Sequence, residues 1–456
     1  MDNSGNSSST SVQSVINKLK YSTATRLVML GVLFLLLQIP NLLISSVHSS
    51  RERRQRDVVK EVSYKWGDEQ VLGGPILNFT GTVQFEEKIT NREGNTSVRK
   101  QTHSKITRLL PDRLTVESTL EPQTRSRGIY QVLLYSVSVK MSGEFTIPEG
   151  VFPDQAIAKN TECVLGVSDP KGLRKLEFTL NGKPRKLEPN QNYPSLRHGF
   201  KVAVEEFKPG DKVPFTFELV VQGSYDFSVF PLGSQFDMAM TSSWPDPSFS
   251  GNLLPYEREV TPKGFSAKWS MMELNRSYPQ FWKDTPNYDM QGSSVGVKIV
   301  KTANPYQQTQ RTMDYSYLLL AIMLLTLLIT EKVTRVIIHP LQYLICALGF
   351  LMFYVLLLSL SEHMPFLASY CISSIIVILL CGGYSLGIYR NHKAALGIAA
   401  MLLMAYLVIW IILSCVDTAL LVGSFVLLLL LAILMFLTRK LNRPETDGEL
   451  TITNRP

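Results

Sequence analysis

The chain has 456 residues, with 46 Lys and Arg against 38 Asp and Glu and a net charge of +8. The excess is spread along the chain with no aromatic-interleaved basic patch, which argues against nucleic-acid binding. Cys163 lies in polar sequence while Cys346, Cys371, Cys381 and Cys415 lie in apolar runs, a distribution that excludes a disulfide framework and a zinc-ligand spacing.

Residues 1–13 are Ser, Asn and Thr with few apolar groups, too polar to bury a core. An apolar run from Leu27 to Val47 follows Lys18, Lys20 and Arg26; it is longer than a signal-peptide core and lacks a small-residue cleavage site, so it reads as an uncleaved anchor. Pro40 removes a helical hydrogen bond inside it and is expected to kink it.

From His48 to Asp314 no segment is apolar enough to span a membrane. The region opens with RERRQRDVVKEV, a charged helix continuing the anchor, and then Gly73, Gly74 and Pro75, expected to break that helix. The period then changes to two. GTVQF, LTVES, QVLLYSVSVKM, LEFTL and PFTFELVV are rich in Val, Thr, Tyr and Phe and are separated by turn signals such as Asn181-Gly182, which predicts a β domain, a sandwich being one architecture that fits. SSWPDPSFSGNLLP and RSYPQFW read as rigid turns pinned by buried rings, Trp244 among them.

Five apolar runs follow, Tyr315 to Thr330, Leu341 to Leu360, Met364 to Tyr389, Ala394 to Cys415 and Thr418 to Thr438. Between Pro340 and Ser361 there is no charged side chain, and about 20 helical residues at about 1.5 Å each cross the roughly 30 Å hydrocarbon layer. With the anchor this predicts a multi-pass α-helical membrane protein of six spans, with a large β-rich extracytoplasmic domain inserted between spans one and two. The predicted organisation is an N-terminal tail (1–26), an anchor (27–47), the β-rich domain (48–314), a five-helix bundle (315–438) and a C-terminal tail (439–456). Lys332 and Arg335, then Arg390 and Lys393, then Arg439, Lys440 and Arg443 flank alternate loops, which places both termini in the cytoplasm. Arg51, Arg53, Arg54 and Arg56 oppose this pattern, but a long domain translocates largely regardless of its charge.

A series of motifs carries a family resemblance: WGDEQVLGGP from Trp66, RSRGIYQVLLY from Arg125, SGEF from Ser142, SSWPDPSFSGNLLP from Ser242, GFSAKW from Gly264, RSYPQFW from Arg276, HPLQYL from His339, FYVLLLSLSEH from Phe353 and DTALLVGS from Asp417. In this order they resemble the CreD family of bacterial inner-membrane proteins, also called cell envelope integrity proteins, from about Lys20 to Asn442. The sequence departs from the family pattern at Asp246, where His is usual between the two prolines, at Lys171, where Arg is frequent, and at Asp314, where Lys is frequent. The resemblance implies a bacterial inner-membrane location and a link to envelope stress, colicin tolerance and β-lactam sensitivity. It supplies no catalytic residues.

Ser248 lacks a G-x-S-x-G setting, and the Gly73-Gly74-Pro75 run lacks a phosphate-binding pattern. Arg125 and Arg127 are candidates for contacting anionic lipid or glycan, with a local salt bridge as the plainer alternative. His339 before Pro340 reads as a helix-start residue. Glu362, His363 and Asp417 fall at one predicted boundary, where they could bind a metal, relay a proton, or satisfy helix ends and receive the β domain. The residues predict a non-enzymatic protein without a cofactor, acting at the envelope. Its expected partners are the lipid bilayer and envelope proteins or glycan met by the outer domain; a transporter or channel is the second class.

Overall fold

The computed structural model describes residues 23–90, 96–152, 156–191, 193–205, 207–283, 288–300, 305–414 and scattered positions between 421 and 435. Contacts divide the chain into two units, Arg54–Thr302 on one side and Met1–Arg53 with Ala303–Pro456 on the other. The division falls inside the first helix, α1 (Thr23–Trp66), which runs through Pro40.

The unit Arg54–Thr302 holds two sheets. The first has strands β1 (Gln70–Thr90), β5 (Ala158–Val167), β8 (Glu188–Asn190), β9 (His198–Val204), β11 (Asp226–Val229), β13 (Pro247–Gly251) and β17 (Val295–Ile299) in the order β13-β17-β11-β1-β5-β9-β8, with β2 (Thr96–Leu109) paired to β1 and β16 (Phe281–Lys283) paired to β2. The second contains β3 (Arg113–Arg127), β4 (Tyr130–Thr146), β6 (Leu173–Leu180), β7 (Lys183–Pro184), β10 (Lys212–Ser224), β12 (Gln235–Ser242), β14 (Glu257–Thr261) and β15 (Gly264–Met272), ordered β14-β15-β12-β3-β4-β10-β6-β7.

Alternation sets the inner face of each sheet. In β10, Val213, Phe215, Phe217, Leu219 and Val221 are buried, while Thr216, Glu218 and Val220 between them are less so. They join Val116, Val139 and Met141 of the same sheet and Phe79, Cys163, Phe227 and Val297 of the other in one core. Fully burying such side chains contributes roughly 1.5–3 kcal/mol each, an upper estimate. The Asn181-Gly182 turn forms as predicted: φ is 50° at Asn181 and 69° at Gly182, the doubly left-handed pair that closes a tight hairpin between β6 and β7.

The helix break is displaced from its predicted position. Gly73, Gly74 and Pro75 lie inside β1, where they mark a shift in register between Gly73 and Ile76 against β5, a place where glycine is common in strands. The helix stops at Trp66 because Gly67 turns to φ +148°, and a Cβ there would meet the Gln222 carbonyl oxygen at 2.3 Å.

The second unit contains the first part of α1 and α2 (Pro305–Asp314), α3 (Ser316–Thr334), α4 (Pro340–Ser361), α5 (Phe366–Tyr389) and α6 (His392–Ser414). Among the described residues five helices, α1, α3, α4, α5 and α6, are long and apolar enough to cross a membrane. That is one fewer than the six predicted; the last predicted run, Thr418 to Thr438, lies mostly outside the described residues. Residues 305–314 were expected to close the β-rich segment and instead form α2. Its buried face is Tyr306, Thr309, Thr312 and Met313, a helical spacing hidden from an apolar reading by its two threonines.

Candidate functional site

One face of α1 buries Arg26, Leu30, Leu33, Leu37, Asn41 and His48, a spacing of three and four residues with one wider step of seven before His48. The opposite faces expose Leu35, Ile39 and Leu43, the pattern of a helix whose outer side meets lipid. Its polar residues find partners on other helices of the unit. Arg26 donates from Nη1 to the Ile338 carbonyl at 2.8 Å and pairs through Nη2 with Glu331 at 3.4 Å. The other Glu331 oxygen accepts from the Tyr343 hydroxyl at 2.6 Å. Asn41 donates to the Ser316 hydroxyl at 3.0 Å, and His48 Nε2 lies 3.0 Å from the Tyr306 carbonyl.

Glu362 collects two partners. It follows α4 with a side chain 9% exposed, accepts from the Tyr306 hydroxyl at 2.9 Å and pairs with Arg51 of α1 at 3.6 Å. Arg26 therefore meets the start of α4 and Arg51 its end, so α1 and α4 run parallel. The rise from Arg26 to Arg51 is about 37 Å and that of α4 about 32 Å at about 1.5 Å per residue, each sufficient for a hydrocarbon layer of roughly 30 Å. The pairing also gives Arg51, one of the basic residues opposing the charge rule, an anionic neighbour.

The remaining predicted residues are dispersed. His363 is exposed, and its backbone N–H donates to the Leu360 carbonyl at 3.0 Å. Asp417 lies outside the described residues, so the set with Glu362 and His363 is not assembled here; no group of three potential metal ligands occurs among the described residues. His339 caps α4: its Nδ1 accepts from the Leu341 N–H at 3.3 Å, while its own N–H donates to Gln342 Oε1 at 3.0 Å. This is a reciprocal cap that satisfies helix-start donors.

Arg125 and Arg127 belong to the other unit and engage the last turns of α1 within it. The Arg125 guanidinium lies 3.8 Å from the Trp66 ring centre, and Arg127 pairs with Glu61 at 2.5 Å. Lys65 and Arg127 together hold the Glu61 carboxyl below its usual range. Lys171 sits 3.4 Å from the centre of the Tyr64 ring. Trp244 is half-buried at the edge of the core; its indole N–H donates to the Asp246 carbonyl at 2.9 Å. The fully enclosed tryptophan is Trp269, 1% exposed, from GFSAKW.

Sequence reasoning passed over Glu331, Tyr343, Asn41, His48 and Tyr306. Their available signal was polarity at helical spacing: Asn41 and His48 continue the Leu30, Leu33, Leu37 stripe at multiples of three and four, and Glu331 ends an apolar run beside the Lys332 that was read as loop charge.

A family model described as inner membrane protein CreD matches residues 22–443. The inner membrane protein CreD of Escherichia coli strain K12 is 30% identical over 424 residues, covering 90% of this chain and 91% of that protein. A solved structure from Legionella pneumophila, described as a candidate nutrient-binding protein, aligns with 41% of this chain and 68% of its own at 6% identity; its TM-score of 0.27 is too low to support an argument.

Proposed function

The chain belongs to the CreD family of inner membrane proteins, and from that premise we propose that it supports cell-envelope integrity without catalysing a reaction, its β-rich unit meeting envelope proteins or glycan on the outer side of the membrane. The multi-pass character follows from the apolar helices and the family. Cytoplasmic termini, the link to envelope stress and colicin tolerance, and the roles of Glu362, His363, Asp417 and Trp244 are part of the proposal.

The observation that carries it is the outer face of the eight-stranded sheet. Glu117, Thr119, Ser138, Lys140, Lys175 and Glu218 help line an open groove of about 510 Å³. Lys140 and Lys175 pair with Glu218 at 3.7 and 4.0 Å, and Lys175 also meets Glu177 at 3.1 Å. These contacts are partly exposed, and such pairs stabilise a fold little. A hydroxyl-rich, charged concavity suits a hydrogen-bonding partner such as glycan or a polar protein surface.

Photocrosslinkers at Thr119 and Ser138 in native membranes test this reading, with one at lipid-facing Leu379 for comparison. Recovery of envelope proteins or glycan from the first two positions alone is the expected result; the same products from all three would refute it. A transporter or channel is the second reading, favoured by unpartnered polar groups among the spanning helices. Flux of a labelled solute into vesicles containing the protein separates the two.

A further inference from the structure

Many buried polar side chains of the helical unit are satisfied close by. The Ser374 and Ser385 hydroxyls donate one turn back, to the Tyr370 and Cys381 carbonyls; those of Tyr370 and Tyr389 donate to the carbonyls of Tyr406 and Leu327. In this helical unit, five polar atoms on residues more than nine-tenths buried have no hydrogen-bonding partner among the described residues: His48 Nδ1, Thr309 Oγ1, Ser373 Oγ and the hydroxyls of Tyr354 and Tyr406. A buried polar group without a partner is costly, which is why each one calls for an explanation.

They come from five helices, α1, α2, α4, α5 and α6, and contacts link these helices to one another. The Phe353 ring lies 5.0 Å from that of Tyr354, 4.5 Å from that of Tyr406 and 5.5 Å from that of Tyr370, which is one helical turn before Ser373. Helix α2 packs against both α4 and α6, and Thr309 is on its buried face with Tyr306. The Tyr306 carbonyl in turn faces His48. Since a carbonyl only accepts, His48 Nε2 carries the proton in that bond.

Depth agrees as well. Tyr354 precedes the end of α4, Ser373 follows the start of α5, and Tyr406 precedes the end of α6 by seven or eight residues each, or about 10–12 Å at about 1.5 Å per residue. All three are therefore at one level, in the half of the unit nearer Glu362. None of the five groups is a carboxylate, ammonium or guanidinium, and Glu362 is already engaged by Arg51 and Tyr306. Such a lining can hydrogen-bond a neutral molecule but offers no counter-charge to a dehydrated ion.

We propose that His48, Thr309, Tyr354, Ser373 and Tyr406 form a hydrated polar site that takes water and small neutral hydrogen-bonding solutes and rejects ions. Water at such a site supplies the partners that these groups lack among the described residues. The proposal is independent of the role of the β-rich unit.

Cysteine reactivity tests it, because thiol modification requires the thiolate. Ser373→Cys and Thr309→Cys, made separately in the full-length chain in nanodiscs, are treated with neutral methyl methanethiosulfonate or a sulfonate-bearing analogue. Mass spectrometry reads each site. Native Cys371 is the internal reference, being exposed on α5 two residues from Ser373. The neutral reagent should modify the introduced cysteines at least about tenfold faster than Cys371, the effect of about one pKa unit on the thiolate population. The charged reagent, normalised to its reaction with glutathione, should lag behind the neutral one by a similar factor. Adding Tyr406→Phe should slow the neutral reaction at Ser373→Cys.

Neutral reactivity no faster than that of Cys371 at both positions would mean a dry interior and overturn the proposal. Charged reagent reacting as fast as neutral would overturn ion rejection. Each chain is scored only if it stays monodisperse, and the two positions, on different helices, give independent readings.

Discussion

Arg26 and Glu331 form an ion pair at 3.4 Å with side chains 11% and 7% exposed, joining α1 to α3. Tyr343 of α4 donates to the same carboxylate, so three helices converge on one acid. Removing one member of a buried pair leaves an uncompensated charge and generally costs about 3–5 kcal/mol, whereas replacing both by apolar groups can be neutral. Glu331→Leu should therefore destabilise the protein strongly, and Arg26→Met combined with Glu331→Leu should recover most of the loss. Thermal unfolding of the parent, the two single variants Arg26→Met and Glu331→Leu, and the double variant in detergent measures this; additive losses would contradict it.

Tyr343→Phe removes only the donor to Glu331. Hydrogen bonds to charged groups contribute about 1.5–3 kcal/mol. The substitution should cost about that much in the parent chain but much less with Glu331→Leu already present, and a double-mutant cycle reads the difference.

Trp269 and Trp244 should respond unequally to alanine. Trp269 is 1% exposed, and truncating such a core ring costs about 3–5 kcal/mol. Trp244 is half-buried at the core's edge, so Trp244→Ala should cost clearly less. Equal loss of protease resistance in the two variants would place Trp244 in the core.

The contacts that hold the last turns of α1 should differ in strength. Arg127 and Glu61 are both well exposed, and solvent screening leaves such pairs little to contribute. Arg125 over Trp66 adds ring contact at 3.8 Å, where a cation over an aromatic face contributes about 0.5–2 kcal/mol. Arg125→Ala should lower the melting temperature more than Arg127→Ala, and added salt should narrow the parent's advantage over Arg127→Ala.

Asp226 should make the protein less stable at neutral than at mildly acidic pH. Burial raises its carboxyl above the usual range, opposed by the Ser250 hydroxyl and then by Lys298, and Glu69 is raised by burial and then by Asp226 and Asp68. A carboxyl with a raised pKa binds its proton more readily in the folded chain, so stability falls as pH rises from the unfolded value through the folded one. Asp226→Asn should remove part of that fall. Melting curves across the acidic range should show a shallower slope for the variant; an unchanged slope would contradict the assignment.

Local periodicity determined much of the architecture. Apolar runs long enough to span a bilayer and the alternation of QVLLYSVSVKM and PFTFELVV are properties of neighbouring residues, and the Asn181-Gly182 hairpin needs only the two backbone conformations that its residues favour. His339 before Pro340 was legible as a helix start because a cap is made within one turn. The family, too, could be recognised from ordered motifs.

What depended on distant partners could not be read this way. β1 pairs in parallel with β11, and β3 with β12, so residues more than a hundred positions apart become neighbours. Gly73-Gly74-Pro75 had the composition of a helix break, yet pairing with β5 accommodates it inside a strand. Asn41, His48, Tyr306 and Glu331 appeared as isolated polar residues because each partner is supplied by another helix. Only packing determines whether such a group is paired, as with Glu331, or left without a partner among the described residues, as with Tyr354 and Ser373, since a buried hydrogen bond depends on where the other helix places its donor or acceptor.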